Sequence, residues 1–325
     1  MSAFFDVIVN SPYALLLFGL VLLVLGGETL VRNSSGLAIK AKIPALIVGL
    51  TIVAIGTSSP ELFASMQAAW HGSAGIAVGN VVGSNIANLC LALGLTALVR
   101  PLKVDKQVLK LDWPILVVVT LLFGTLALDG VYSRLDGVIF LLGMTIYMVI
   151  QVKRSRRIKR NSVSAPINME EFNQFANKKY SILLFWIVVG CILLYYGAGI
   201  FVDGAAKMAQ GFGISEHVIG VTIVAFGTSV PEIVASVTAA LKGQSDLGIG
   251  SLIGSNIMNI LLVLGVSSTI VEIGIEPDMI AYDFWWMLGT TALLYPILTI
   301  GKKINRLHGA IYLTCYVVYI WIALG

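Results

Sequence analysis

Charge is scarce in this chain. Only 12% of its 325 residues are Asp, Glu, Lys or Arg, about half the share found in soluble domains. Hydrophobic residues make up 58%, and the mean hydropathy is +0.92. A water-soluble fold cannot hide that much apolar surface. Cysteine is scarce as well: Cys90, Cys191 and Cys315 all fall within apolar runs and read as small buried hydrophobes, not as disulfide partners or metal ligands. Residues 1–10 lack the basic n-region of a secretory signal, so no cleavable signal is expected. Strict alternation of apolar and polar residues, the mark of a membrane β-barrel, is also missing. Tyr13 to Leu25 and Ile182 to Tyr195 are continuously apolar, which selects helices of the ~20-residue length that spans a bilayer.

Ten such spans are predicted, near residues 11–30, 43–69, 74–99, 113–128, 135–152, 180–202, 214–241, 247–271, 284–300 and 307–324. The long polar stretch between them, 153–179, holds eight Lys and Arg residues, and a basic run beside a span belongs on the cytoplasmic side. Fixing that linker inside places 19 of the 21 basic residues inside, leaving only Arg134 and Lys207 outside. Both termini are then outside. This distribution explains the pI of 8.9 better than a nucleic-acid patch does, and no nucleic-acid or protein partner is indicated beyond the lipid bilayer.

The second half repeats the first at an offset of 171 residues. Gly56-Thr57-Ser58-Ser59-Pro60-Glu61 matches Gly227-Thr228-Ser229-Val230-Pro231-Glu232, and Gly83-Ser84-Asn85-Ile86-Ala87-Asn88 matches Gly254-Ser255-Asn256-Ile257-Met258-Asn259. Asp112 matches Asp283. Five spans per half is an odd number, so the copies enter the membrane from opposite sides. The expected fold is an all-α polytopic membrane protein of ten transmembrane helices in two inverted five-helix repeats, 1–152 and 180–325, joined by the 153–179 linker. Inverted repeats of this kind characterise secondary transporters, whose sites lie near the midplane where broken helices meet.

Glu61 and Glu232 sit inside apolar spans, where a carboxylate is costly and functional by default. Each follows Gly-Thr-Ser-X-Pro. Proline and glycine break the helix and free carbonyls, at Ala54 and Ala225 among others, and broken backbone at this depth belongs to a cavity lining or a protein interior. The hydroxyls of Thr57, Ser58, Thr228 and Ser229, with Ser84, Asn85, Asn88, Ser255, Asn256 and Asn259 from the second motif, complete an almost all-oxygen inventory. Hard cations such as Ca²⁺ prefer that chemistry. Ser84 and Asn88, four apart, share a helical face, and Gly79, Gly83, Gly250 and Gly254 permit close helix approach. Against this stand plainer readings: Ser and Thr as packing glue, or a lone Glu kept protonated for structure. Two Glu at matching positions in the same broken-helix motif weigh against the latter. Asp112, Asp129, Asp203 and Asp283 are expected at the interface, His71, His217 and His308 in solvent, and Trp113, Trp285, Trp286 and Trp321 as interface anchors or packing.

The paired motifs resemble the α-repeats of the cation/calcium exchanger superfamily, in particular prokaryotic sodium/calcium exchangers, over essentially the whole chain. The resemblance implies a non-enzymatic antiporter of the inner (plasma) membrane, without cofactor, exchanging Na⁺ for Ca²⁺ by alternating access. The cation ligands it implies are Ala54 (carbonyl), Thr57, Ser58, Glu61, Ser84 and Asn88, with Ala225 (carbonyl), Thr228, Ser229, Glu232, Ser255 and Asn259. K⁺-dependent relatives carry Asp where this chain has Asn259. A Ca²⁺/H⁺ exchanger and a passive cation channel remain as alternatives; the inverted repeat and buried acids favour alternating access over a channel.

The topology has a direct test. Single cysteines replacing Ala165 and Pro277, in a background without native cysteines, are to be probed with an impermeant thiol reagent on intact cells. Position 277 is expected to label and position 165 to stay silent; the reverse pattern overturns both the orientation and the inverted repeat.

Overall fold

In hydrocarbon every backbone N–H and C=O must be paired within the chain, and this chain answers with helices. The computed structural model describes residues 11–40, 54–104, 108–161, 177–241, 245–300 and 303–324. Helix α1 (Pro12–Lys40) opens the first half, followed by α2 (Ala54–Thr57), α3 (Ser59–Trp70) and α4 (Ala74–Ile86). A π-helical segment, Ala87–Ala92, carries α4 into α5 (Leu93–Val99), and a second, Val108–Asp112, leads into α6 (Trp113–Leu126) before α7 (Arg134–Asn161). The second half runs α8 (Tyr180–Phe212), α9 (Glu216–Ile219), a π segment Gly220–Val224, α10 (Ala225–Thr228), α11 (Val230–Leu241) and α12 (Ser245–Met258). It continues through π segment Asn259–Leu264 to α13 (Gly265–Ile270), then through π segment Met279–Asp283 to α14 (Phe284–Ile300) and α15 (Arg306–Leu324).

Among the described residues, seven helices are long and apolar enough to cross a membrane, or eight if the bent pair Glu216–Thr228 and Val230–Leu241 counts as one span. These eight correspond to eight of the ten predicted spans. Of the other two, 43–69 lies partly outside the described residues, and 284–300 is a helix of 17 residues broken into by Pro296. Several helices outrun their predicted ends. α1 reaches Lys40 and α8 reaches Phe212, and α7 continues to Asn161, into what the sequence marks as linker. Lys and Arg are good helix formers and suit a helix C-terminus, so loss of hydrophobicity marks the membrane surface and not the helix end. Residue 165 lies outside the described residues, whereas Pro277 is exposed.

α1 and α8 pack antiparallel along their length, brought together by glycine. A Cβ on Gly19 would lie 2.6 Å from the Phe201 backbone, one on Gly197 3.0 Å from that of Leu23, and one on Gly204 2.9 Å from that of Leu16. At 1.5 Å per residue the 29 residues of α1 and the 33 of α8 extend roughly 43 and 50 Å, longer than the ~30 Å hydrocarbon layer. The centre belongs to other helices: Ala74–Val99 is 83% buried and Gly248–Ile270 78%, while the other five single-helix candidates reach no more than 33%.

Two short antiparallel ladders cap the bundle. β1 (Leu102–Lys103) pairs with β4 (Lys303–Ile304), and β2 (Val131–Tyr132) with β3 (Ile273–Gly274). β3 follows β1 by 171 residues and β4 follows β2 by 172, so each ladder joins a strand from one half to a strand from the other. The helix Val108–Leu126 separates the two ladders by its length. Beside the β1–β4 ladder, Arg100 bonds the Leu241 carbonyl and Arg306 that of Leu98. Near β2–β3 lie Asp129, Glu276 and Asp278.

Asp112 and Asp283 depart from the expectation of an interfacial position. Asp112 is buried and accepts from Arg154 Nη1 at 2.7 and 2.9 Å and from Gln151 at 3.2 Å. Asp283 is buried against His217 Nε2 at 2.7 Å and the Tyr319 hydroxyl at 2.8 Å. His217, expected in solvent, is therefore part of the interior. A buried carboxylate needs partners, and here long-range packing supplies them. Asp129, Asp203 and His71 are exposed, as expected.

Among the described residues the tightest approach of a glycine to backbone joins α4 to α9 and the segment Gly220–Val224. A Cβ on Gly83 would sit 2.4 Å from the Val221 carbonyl oxygen, and one on Gly79 2.9 Å from that of His217. Gly254 has only the Tyr147 hydroxyl near it and Gly250 nothing among the described residues; the segment 41–53, which the repeat would bring there, lies outside them. Gly83→Ala drives a methyl into backbone that cannot yield, at a cost of ~3 kcal/mol, the upper end of what overpacking a core costs. It is expected to lower the detergent melting temperature sharply, whereas Gly199→Ala, with open space around its Cβ, should leave it unchanged or slightly raised. Equal melting temperatures for the two variants would contradict the crossing.

Candidate cation site

Both helix breaks have one geometry. α2 ends at Ser58, with φ −83° and ψ 6°, and α10 ends at Ser229, with φ −81° and ψ 0°. After each, a new helix starts with proline in its first turn and the glutamate next to it: Pro60-Glu61 in α3 and Pro231-Glu232 in α11. The second break bends the chain by 42°. Proline has no N–H, so Pro60 and Pro231 deny the carbonyls four residues earlier, those of Gly56 and Gly227, their usual helical donor. The expectation that Ala225 is the freed carbonyl needs correction: it accepts the Ser229 amide at 3.1 Å and retains one lone pair. Ala54 is the first residue of α2, in the corresponding position of the first half.

Glu61 and Glu232 are buried, at 0% and 3% exposure, and each is held by the opposite half. Ser58 donates to Glu232 Oε1 at 3.3 Å, and Ser229 donates to Glu61 Oε1 at 3.4 Å. Thr57 and Thr228 reach the same carboxylates as their neighbouring serines. Ser255 also donates to Glu232 Oε1, at 3.4 Å. Among the described residues no Lys, Arg or His pairs with either glutamate, and the Oε2 atom of each has no partner.

The second motif lies beside the first. Ser84 is near the end of α4, and Asn88 is the second residue of the π segment Ala87–Ala92; Asn259 opens the matching segment Asn259–Leu264. π turns recur at functional sites because the widened turn re-aims side chains. Both amide atoms of Asn88 and of Asn259 are buried and, among the described residues, unpartnered. Asn85 and Asn256 meet at the junction of the halves, where Asn256 Nδ2 bonds the Asn85 carbonyl at 3.0 Å, and each keeps an unpartnered Oδ1. A buried amide with no partner costs about 1–3 kcal/mol. The site thus holds two carboxylate and several amide oxygens whose hydrogen bonding the protein does not complete, which suits them to ligate a hard cation.

Asn80 was not singled out by the sequence patterns. It is fully buried at the centre of this network: its Oδ1 accepts from Thr228 at 3.0 Å and Ser84 at 3.3 Å, while Nδ2 donates to Ser65 Oγ at 2.8 Å and the Glu61 carbonyl at 3.3 Å. The available signal was a lone amide within an apolar run. The repeat hid it, because its counterpart 171 residues on is Ser251.

Comparison with known proteins agrees over the whole length. The family profile described as sodium/calcium exchanger protein matches residues 11–153 and 182–325. The putative antiporter CaxA of Alkalimonas amylolytica is 39% identical over 306 residues, covering 93% of this chain and 95% of that protein. The sodium/calcium exchanger MaX1 of Methanosarcina acetivorans is 32% identical over 343 residues, covering 96% and 98%. Among solved structures, the sodium-calcium exchanger NCX_Mj soaked with 100 mM Na⁺ and 10 mM Sr²⁺ superposes with a TM-score of 0.67 at 34% identity, covering 96% of this chain and 98% of that one.

Proposed function

The chain belongs to the sodium/calcium exchanger family, and from that premise we propose that it is a secondary antiporter exchanging Na⁺ for Ca²⁺ by alternating access. Membership carries cation/Ca²⁺ antiport; the choice of Na⁺ as the coupling ion is the finer reading. The observation that carries it is the reciprocal arrangement in which Ser58 serves Glu232 and Ser229 serves Glu61. It brings two carboxylates from different halves to one buried place and leaves an oxygen of each open. Two negative charges balance one Ca²⁺, and the same charges with the surrounding hydroxyl and amide oxygens accept Na⁺ in its stead.

On this reading the ligands are Glu61, Glu232, Thr57, Ser58, Thr228, Ser229, Ser84, Ser255, Asn88 and Asn259, with the carbonyls of Ala54 and Ala225. The carboxylates supply the charge, and the hydroxyl, amide and carbonyl oxygens complete the coordination. The scaffold is ten transmembrane helices in two inverted five-helix repeats, 1–152 and 180–325. Residues 153–179 are cytoplasmic and both termini outside, in the plasma membrane. Supporting this are the 171- and 172-residue spacings between corresponding helices, π segments and strands, together with the basic residues beside one ladder and the acidic ones near the other. Alternating access would then be a movement of one group of helices against another around the Glu61–Glu232 centre.

The decisive experiment is ⁴⁵Ca²⁺ uptake into proteoliposomes with Na⁺, K⁺ or H⁺ gradients imposed one at a time. Uptake driven by Na⁺ supports the proposal; uptake driven only by H⁺ assigns the same site to Ca²⁺/H⁺ exchange. Glu61→Gln and Glu232→Gln should each lower uptake roughly 100-fold or more, the consequence of losing one partner of a buried charge pair. Both variants should elute as the native protein does on size exclusion. Near-native exchange by either folded variant would falsify the site assignment.

The exchange should not need K⁺. Co-binding K⁺ with Ca²⁺ requires three positive charges to be offset in a poorly hydrated site, where uncompensated charge costs several kcal/mol. Glu61 and Glu232 provide two, and Asn88 and Asn259 are neutral. Na⁺-driven flux should therefore persist when choline replaces K⁺ on both sides; flux that stops without K⁺ and returns with it contradicts the charge count.

A further inference from the structure

The two halves are not equivalent at the site, and the difference traces to one position. In the second half Ser255 donates its proton to Glu232 Oε1. Its counterpart Ser84 does not turn to Glu61 but to Asn80 Oδ1, 3.3 Å away and one helical turn back. The same oxygen accepts from Thr228 of the other half at 3.0 Å. Ser251, which stands where the second half would need such an acceptor, bonds the Gly248 carbonyl of its own helix at 2.9 Å.

The chemistry of a hydroxyl ligand explains why this matters. A Ser or Thr oxygen can face a cation only with its lone pairs, so its single proton must point to another acceptor. Besides the Glu61 carboxylate, which it approaches together with Ser229, Thr228 has three acceptors: Asn80 Oδ1 at 3.0 Å, the Val224 carbonyl at 3.1 Å and the Ala225 carbonyl at 3.4 Å. A proton given to Asn80 is not given to Ala225, whose carbonyl then keeps a lone pair for a cation. The Asn80 amide is itself fixed. A carbonyl can only accept, so Nδ2 must face the Glu61 carbonyl and Oδ1 must face the two hydroxyls. All four bonding positions of this amide are filled, unlike those of Asn85, Asn88, Asn256 and Asn259.

We infer that Asn80 is a positioning residue of the cation site: it draws the hydroxyl protons of Ser84 and Thr228 to itself and so turns both oxygens' lone pairs toward the cation beside Glu61. This rests on the reading of Glu61 and its neighbours as a cation site and adds a residue outside the ligand set. It also makes the site asymmetric: Ser84 is organised by a neutral amide, whereas its counterpart Ser255 is organised by the Glu232 carboxylate.

The test separates positioning from support. Asn80→Ser, which installs the residue found at the corresponding place in the second half, removes the shared acceptor while leaving a small polar side chain able to bond its own helix. Ser65→Ala removes the anchor of Nδ2 and keeps the acceptor. Asn80→Asp keeps an acceptor oxygen toward both hydroxyls. Ca²⁺ half-saturation and maximal flux are measured in proteoliposomes, with Ca²⁺ titration calorimetry and melting temperature on the same purified proteins. For Asn80→Ser the half-saturation and the calorimetric Kd should rise about three- to tenfold, the equivalent of one hydrogen bond, with maximal flux within about twofold. Ser65→Ala should lower the melting temperature without moving half-saturation, and Asn80→Asp should restore half-saturation to native or below. If Asn80→Ser binds Ca²⁺ as the native protein does, or if Ser65→Ala weakens binding equally, the positioning role is overturned while the site stands. A native protein that binds no Ca²⁺ overturns the site, and this inference with it.

Discussion

Moving an ionised carboxylate out of water costs several kcal/mol even after the protein relaxes around it, and Glu61 and Glu232 are buried side by side with no basic residue beside them among the described residues. The local architecture answers that demand. Proline in the first turn after Ser58 and Ser229 interrupts both helices, which lets hydroxyls and backbone approach the acids. Glycines at 79 and 83 let the two motif-bearing segments cross at backbone distance. The hydroxyl bonds to each acid are weak and incomplete, and each leaves one carboxylate oxygen open. A site satisfied by its own protein would have no reason to bind an ion; one left wholly unsatisfied would not fold.

Much of this was legible in the sequence, for reasons that can be named. The broken helices showed because Gly-Thr-Ser-X-Pro-Glu is punctuation that no uninterrupted span tolerates, and its appearance twice at one offset marked both halves. Spans showed because hydrocarbon tolerates so few charges. Their ends did not, because Lys40 and the basic residues after Lys153 stay helical beyond the apolar stretch. Equally hidden were partners far apart in the chain. Asp112 meets Arg154 across 42 residues, and Asp283 meets His217 across 66; from the sequence each looked like an acid at a span end, bound for the membrane interface. Asn80 was missed for the opposite reason. Repeat logic finds what the halves share, and Asn80 with Ser251 is where they differ.

The ladders show the same interlocking at the ends of the molecule that the acids show at its centre. Each pairs a strand of the first half with one from the second. Neither half closes its own ends, and neither carboxylate is held by hydroxyls of its own half alone. The polar clusters around Asp112 and Asp283 occupy corresponding places, at the last residue of matching π segments. They differ in the nitrogen group that closes them, a guanidinium in one and an imidazole in the other.

The reciprocal bonds from Ser58 to Glu232 and from Ser229 to Glu61 also have a meaning for heredity. Two copies of a motif in one gene would ordinarily let one drift while the other keeps the task. Here each serine serves the acid of the opposite copy, so a lesion in either is felt by both, and selection sees the pair as a single character. Position 80 and its partner 251 lie outside that exchange, and there the copies have parted company: one has become the organiser of its neighbours, the other a bystander on its own helix.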